Sequence, residues 1–351
     1  MEERKEIVRR YVSQGMRVEK AATMAGISKS TYYYKATGNK PGKRATTHTK
    51  MTDGSIVPNN VVVAEICRIL QQEFMENGYL KVTWTLKDLN YQIGDKKVYR
   101  LMKEHNLLNP KKKKAARKYV EHSQPNPSQP FEVIEIDIKY IYIRGERRNA
   151  YLITLLDTFS RIAIAWDLQF SIKHTHAKRL IDEFILNYVQ DRYPSNTQMQ
   201  LILRSDNDSR FIASAFREHL HLNFIDQQFI HPATPQQNGH IESFHSVVEE
   251  LVCSKFDFED IYEAREVFKR FFDTYNNRRT IKPLLYLPPS VFLKEWDKGN
   301  IGLKVEVCKG KKIINNFFFR GQRPYWITAP SEDFLFWQCK IMSENFTFVH
   351  H

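Results

Sequence analysis

Cysteine is scarce and scattered: the chain of 351 residues has four, Cys67, Cys253, Cys308 and Cys339, with no Cys-x-x-Cys pair. That spacing argues against a disulfide framework and a cysteine zinc site, and it fits a reducing cytoplasm. Long apolar runs are missing too. Stretches such as Leu155-Leu156 and Phe317-Phe318-Phe319 fall far short of the roughly 20 residues that span a bilayer, so no membrane segment is expected. The start, Met-Glu-Glu-Arg-Lys-Glu, is charged where a secretory signal has an apolar centre, and the expectation is a protein that stays where it is made. No Gly-x-x-x-x-Gly-Lys phosphate loop is present.

What is present suffices for folding. An apolar fraction of 42% with 13% aromatics excludes a wholly disordered chain. The length exceeds what one core organises, so two to four domains are expected. The formal charge of +13 is unevenly placed: residues 1–130 hold 25 Lys plus Arg against 12 Asp plus Glu, while the rest holds 28 of each. A basic surplus confined to one third of a chain is the footprint of phosphate neutralisation, which favours nucleic acid through counterion release. The bland alternative is a soluble basic surface.

Residues 1–38 read as a helix-turn-helix unit. Ile7, Val8, Tyr11 and Val12 share one helical face, and Val18, Ala21, Ala22 and Ala25 continue in a second helix. Ala22 lets helices approach, Gly26 supplies a left-handed turn, and Ser28 is placed to cap a last helix. On that helix Lys29, Ser30, Thr31 and Tyr34 are candidates to face a DNA major groove, with Ile27 and Tyr32 turned inward. A three-helix bundle without a DNA role shares this pattern. Residues 39–60, rich in glycine, proline and polar residues, read as a linker. Residues 61–108 read as a second helical DNA-binding domain: Val63, Ile66, Ile69 and Leu70 mark one helix, Val82, Leu86 and Leu89 another, and Asp95 caps a third. That third helix carries Val98, Leu101 and Met102, with Lys96, Lys97 and Arg100 as candidate DNA contacts. A basic, proline-rich linker follows over 109–130, where Lys111, Lys112, Lys113 and Lys114 are further candidates for phosphate.

From Phe131 the pattern turns to strands. Alternation over Phe131–Ile143, a turn at Arg144-Gly145-Glu146, and strands over Ala150–Leu156 and Ile162–Leu168 predict a three-stranded meander. A helix over Thr175–Val189, a strand over Gln200–Arg204, a helix over Ile212–Leu220, a strand over Leu222–Ile225 and a long helix bearing Ile241, Phe244, Val248 and Leu251 follow. The order predicts a mixed sheet covered by helices. Residues 300–351 read as a small β-rich module, either an aromatic core with a basic rim or a DNA-binding surface using Lys309, Lys311, Lys312, Arg320 and Arg323.

Three carboxylates stand where such a sheet gathers its strand ends. Asp137 lies mid-strand in Glu-Ile-Asp-Ile, Asp206 follows the strand ending at Ser205, and Glu242 occupies the first turn of the long helix. Asp157 and Asp208 compete for the role, although turn and capping duties account for both.

Asp137, the segment Ser205-Asp-Asn207 with Phe211, and Asn238-Gly-His-Ile-Glu-Ser-Phe244 resemble the Asp-Asp-Glu signature of insertion-sequence transposases with a retroviral-integrase-like catalytic core. Leu156-Asp-Thr-Phe-Ser-Arg161, His231-Pro232, Tyr275-Asn-Asn-Arg-Arg279, Asn77-Gly-Tyr79 and Val98-Tyr-Arg-Leu-Met102 extend the likeness. The resemblance implies an RNase H-like α/β domain over 131–295, trailing helices included, and a catalytic trio Asp137, Asp206 and Glu242. These residues would hold two Mg²⁺ ions, with Mn²⁺ able to substitute. Hard cations of this kind need only a few carboxylates plus substrate phosphate and water. It further implies hydrolysis at the transposon end, then attack of the freed 3′-OH on target DNA, with no covalent intermediate. Partners would be double-stranded DNA, ends and target, and at least one more copy of the chain, in the bacterial cytoplasm on the nucleoid. Asn207, Gln237, Asn238, His240 and His245 would support the site or touch substrate. The family usually has glycine where this chain has Asp208, which puts the local turn in question. An inactive DNA-binding regulator and a metal-dependent nuclease are the rival readings.

Overall fold

The structure is a computed structural model and describes residues 1–35, 45–75, 77–110, 126–190, 192, 201–230, 238–308 and 312–323. Two compact units divide at residues 47 and 48, and each is described by itself.

In the first unit, α1 (Glu2–Ser13), α2 (Val18–Met24) and α3 (Lys29–Tyr33) pack around Val8, Ala21 and Ala22. Acids Glu2 and Glu3 in the first turn of α1 and Arg10 in its last suit the helix dipole. Gly26, at φ +67, turns the chain out of α2, and Ser28 Oγ accepts the Thr31 N–H at 3.1 Å to start α3. Ile27 and Tyr32 pack inward as expected. Ile7, expected on the inner face, is exposed instead, because the apolar stripe centres on Val8.

The second unit begins inside the stretch read as linker. β1 (His48–Met51) and β2 (Ile56–Pro58) pair antiparallel across a turn in which Asp53 Oδ1 accepts the Ser55 N–H at 2.8 Å. β1 takes its other partner from β3 (Tyr91–Gln92), a distant segment invisible to local pattern. Helices α4 (Asn59–Gln71), α5 (Tyr79–Asp88) and α6 (Asp95–Glu104) bury Ile66, Ile69, Val82, Leu86, Val98, Leu101 and Met102 together. Gly94, rather than Asp95, is the N-cap of α6; the Asp95 carboxylate accepts the Lys96 N–H from the first turn.

This helical layer packs directly on the C-terminal half of the same unit. Phe74 sits against Phe256 and Phe271, Glu73 pairs with Arg270 at 3.1 Å, and Trp84 stacks on Tyr286 beneath the Arg323 guanidinium.

The central sheet contains β4 (Val133–Ile143), β5 (Arg148–Asp157), β6 (Ala163–Gln169), β7 (Leu201–Ser205) and β8 (Ile225–Phe229). Its order is β6-β5-β4-β7-β8: β4, β5 and β6 form an antiparallel meander, and β4, β7 and β8 run parallel. The mixed sheet predicted from element order is therefore present. α7 (His174–Phe184), α8 (Ser209–Ile212) and α9 (Ser214–Leu222) cover one face, on Ile134, Ile136, Ile153 and Leu155. α10 (Gly239–Val248) and α11 (Ile261–Asn277) cover the other, on Ile141, Ile143, Leu152 and Leu156. At the meander turn Gly145 has no room for a side chain: a Cβ there would lie 2.2 Å from the Glu259 carbonyl oxygen.

The strand expected at Leu222–Ile225 starts only at Ile225. Helix α9 runs on to Leu222, and Leu222 and Phe224 are exposed at 68% and 87% on the turn, so their apolarity marked no strand. After α12 (Pro289–Asp297), β9 (Ile301–Cys308) and β10 (Lys312–Phe319) form a hairpin that closes over Phe159, Phe292 and Trp296 through Phe317. This part of the C-terminal module is core-forming. No helix among the described residues is long and apolar enough to cross a membrane.

Candidate catalytic site

Strand pairing decides where the first two carboxylates go. β4 and β7 are parallel neighbours in register Glu135 with Arg204. Asp137 lies two residues further along β4, beyond the last position paired with β7. Asp206 stands just past the carboxyl end of β7, partly buried. Glu242 arrives from the opposite direction. α10 lies on the face of β4 that carries the odd-numbered residues, buries Ile241, Phe244 and Val248, and leaves Glu242 half-exposed in its first turn. One turn on, His245 places Nδ1 3.4 Å from Asp137 Oδ2.

Electrostatics ties the three together. Burial pushes the Asp206 carboxyl above its ordinary range, and repulsion from Asp137 and Asp208 adds to it. Burial likewise raises Glu242, again with Asp137 repelling it, while His245 opposes. Asp137 is the shared neighbour of both. Two carboxyls raised beside a common anionic neighbour form a site short of positive charge, which a hard divalent cation would supply. Among the described residues no three His, Cys, Asp or Glu side chains form a ready-made metal cage. Mg²⁺ does not require one, since it keeps waters and takes oxygens from bound phosphate. Beside Glu242 opens a cleft of about 620 Å³, lined by Lys139, His245, Ser246, Glu249, Glu250 and Ser254.

A family described as "Integrase core domain" matches residues 127–235, and a second of the same description matches 223–289. Residues 127–289 thus match an integrase core domain, and the relatives that follow come from insertion elements. Over 243 residues it is 26% identical to the insertion element IS476 uncharacterized 39.2 kDa protein of Xanthomonas euvesicatoria, covering 68% of this chain and 67% of that one. It is 25% identical to the IS407 uncharacterized 31.7 kDa protein of Burkholderia multivorans, covering 78% and 89%. It is 24% identical to the putative transposase InsK for insertion sequence element IS150 of Escherichia coli, covering 76% and 89%. Among solved structures, the HTLV-2 integrase catalytic core domain in complex with magnesium aligns at TM-score 0.36 and 13% identity, over 48% of this chain and 99% of that one. The Mos1 mariner transposase catalytic domain aligns at 0.35 and 14%, over 48% and 76%.

Within the integrase core the competing acids have other duties. Asp157 is fully buried, where its carboxylate accepts the N–H groups of Phe131 and Ser160 at 3.0 and 2.8 Å and the Ser160 hydroxyl at 2.6 Å. Asp208 caps α8, accepting the Arg210 N–H at 2.9 Å, and pairs with the Arg210 guanidinium, which holds it below the usual carboxylate range. Its φ of −64 is extended backbone open to any residue, so the turn does not depend on glycine. Its own N–H donates to Asp206 Oδ1 at 3.1 Å and helps to orient it.

The supporting residues divide. Asn207 Nδ2 donates to the Ile230 carbonyl, tying the ends of β7 and β8. Asn238 precedes α10 fully enclosed, with its Oδ1 unpartnered, and so makes no cap. Burial, with Arg161 and Arg204 nearby, pushes the His240 imidazole down to about 3. Gln237 lies outside the described residues.

Of the candidate DNA contacts, Lys29 is exposed and pairs with Glu19 at 2.6 Å, Ser30 and Thr31 share hydrogen bonds with Ser28, and the Tyr34 ring is exposed. Lys96 is exposed, Lys97 Nζ donates to the His48 carbonyl, and Arg100 pairs with Glu104 at 3.3 Å. Lys111, Lys112, Lys113 and Lys114 lie outside the described residues.

One residue escaped the sequence reading. Glu135, wholly buried two positions before Asp137, accepts the Ile241 N–H through Oε2 at 2.7 Å. Burial pushes its carboxyl up to about 7, against the pull of the backbone N–H groups of Ile241 and His240 and of Arg161 and Arg204. The available signal was an acid on the strand face that carries apolar residues at Ile141 and Ile143.

Proposed function

We propose that the chain is an insertion-sequence DNA transposase that binds transposon ends, hydrolyses the phosphodiester to free a 3′-OH, and joins that hydroxyl to target DNA. The observation that carries this reading is the position of Asp137 as common electrostatic neighbour of Asp206 and Glu242, drawn from a strand, a strand end and a helix. Asp137, Asp206 and Glu242 would hold two Mg²⁺ ions. Bound there, the ions supply charge stabilisation to the attacking and leaving oxygens of an in-line displacement. Asp208 would keep Asp206 oriented through its N–H, and His245 would order Asp137 from the cleft side.

The helices α1–α3 and α4–α6 would grip end DNA, and the basic excess of residues 1–130 would add sequence-independent attraction to phosphate. Two ends must meet for joining, so at least two copies of the chain act together, in the bacterial cytoplasm on the nucleoid.

Labelled element-end DNA, supercoiled target and Mg²⁺ test the reading directly. Joined product is the expected result. Cut ends without joining would make the protein a nuclease, and bound but intact DNA a regulator. The reader helix has its own test: Lys29→Ala with Thr31→Ala should lower the preference for end DNA over random DNA by about tenfold at fixed salt, measured by fluorescence anisotropy. Unchanged preference removes residues 28–36 as the reader.

A further inference from the structure

The integrase core holds a buried acid that the reaction does not use. Glu135 is fully enclosed on β4, on the same face as Asp137 and two residues from it. It pairs in register with Arg204, which stands two residues before Asp206. Its Oε2 accepts the backbone N–H of Ile241, the residue immediately before Glu242, at 2.7 Å, and the His240 N–H acts on the same carboxylate. Arg161, which follows the β5 strand, and Arg204 balance its charge. One side chain thus touches or neighbours the three segments that deliver Asp137, Asp206 and Glu242.

We propose that Glu135 is a positioning residue: it fastens the N-terminus of α10 to β4 and so fixes Glu242 against Asp137. The first N–H groups of a helix have no partner inside the helix, and an acceptor there both satisfies them and meets the positive end of the dipole. Here the acceptor is not a local cap, since Asn238 makes none. It comes from a strand 106 residues away in the chain. The Glu135 carboxylate thus ties the first turn of α10 to β4 at the base of the site, beside the apolar packing of Ile241, Phe244 and Val248. Supporting groups of this kind usually govern metal affinity and rate by about 10–100-fold.

This role rests on the reading of Glu242 as a metal ligand, and two conservative variants separate the proposal from that reading. Glu135→Gln keeps an acceptor oxygen at full reach. Glu135→Asp keeps the charge facing Arg161 and Arg204 but is one methylene too short to reach Ile241. Three measurements are made on the full chain: amide hydrogen exchange at Ile241 and His240 without DNA or metal, Mn²⁺ binding by calorimetry, and end-DNA cleavage in Mg²⁺. Glu135→Asp should lose protection at both amides, bind Mn²⁺ about tenfold more weakly and cleave about thirtyfold more slowly. Glu135→Gln should stay within about threefold of wild type on all three. Wild-type protection and Mn²⁺ affinity in Glu135→Asp overturn the proposal. So does the reverse order of the two variants, which would make the residue a counter-charge for the arginines. Loss of the fold in Glu135→Asp also overturns it, since a lost cap alone does not unfold a domain. A wild-type protein that cleaves nothing overturns the transposase reading and leaves the exchange result to decide whether Glu135 holds α10.

Discussion

Glu242→Gln is expected to slow Mg²⁺-dependent cleavage of end DNA at least about a thousandfold while affinity for end DNA stays within about threefold. The substitution is nearly isosteric and removes one anionic oxygen donor. A metal-held phosphoryl centre draws several kcal/mol of transition-state stabilisation from its ions, and each 1.36 kcal/mol lost is about tenfold in rate, so the loss of one ligand carries three decades. Folding should be indifferent. Glu242 is half-exposed, and Ile241, Phe244 and Val248 on the other side of α10 carry the packing. Melting within about 2 °C of wild type is therefore expected. Single-turnover cleavage and anisotropy with the same labelled DNA check both halves. Parallel loss of cleavage and binding would make Glu242 a structural residue and remove it from the site.

The elements of this fold were readable in proportion to how local their causes are. The meander β4–β5–β6 shows in the sequence because β4 alternates in part, β5 and β6 are short apolar runs, and each turn is short. α10 shows because Ile241, Phe244, Val248 and Leu251 repeat at helical spacing, and all four are buried. β1 and β2 do not show: they are four and three residues long, and their third partner, β3, lies some forty residues on. Phe224 misled for a related reason. An apolar residue beside a strand resembles a strand residue until the turn that exposes it is known.

The site was legible as positions and not as relations. Asp137, Asp206 and Glu242 announce themselves by standing at a strand centre, a strand end and a helix start. That Asp137 neighbours both of the others depends on the parallel register of β4 with β7 and on the seating of α10, which no local pattern encodes. Glu135 was hidden for the same reason, because its partner is a backbone N–H whose approach only the tertiary fold determines. Asp208 shows the converse. The sequence raised a doubt about the turn, and the geometry answers it with a helix cap and an arginine partner.

Asp137→Asn should abolish cleavage at least as completely as Glu242→Gln and yet stabilise the metal-free protein at neutral pH. Both effects have one cause, since Asp137 repels Asp206 and Glu242 alike. The sign follows from linkage. A carboxyl whose folded pKa is raised above its unfolded value contributes stability when protonated, below the unfolded pKa, and that contribution is lost as pH rises through the folded pKa. Repulsion by Asp137 raises both Asp206 and Glu242 and opposes folding near neutral pH, so removing the shared charge relieves it. Because these groups are partly solvated, the gain is small, a rise of about 2 °C in Tm. It should fade as pH falls, because protonation of Asp206 and Glu242, both raised, removes the repulsion. Mg²⁺ at about ten times its Kd should stabilise the wild type by about 1.4 kcal/mol and leave Asp137→Asn nearly unmoved. Calorimetric melts at pH 7 and pH 3, with and without Mg²⁺, read the whole pattern. A variant that melts lower than wild type at pH 7, or that responds to Mg²⁺ equally, would show that Asp137 is not the charge around which the other two are arranged.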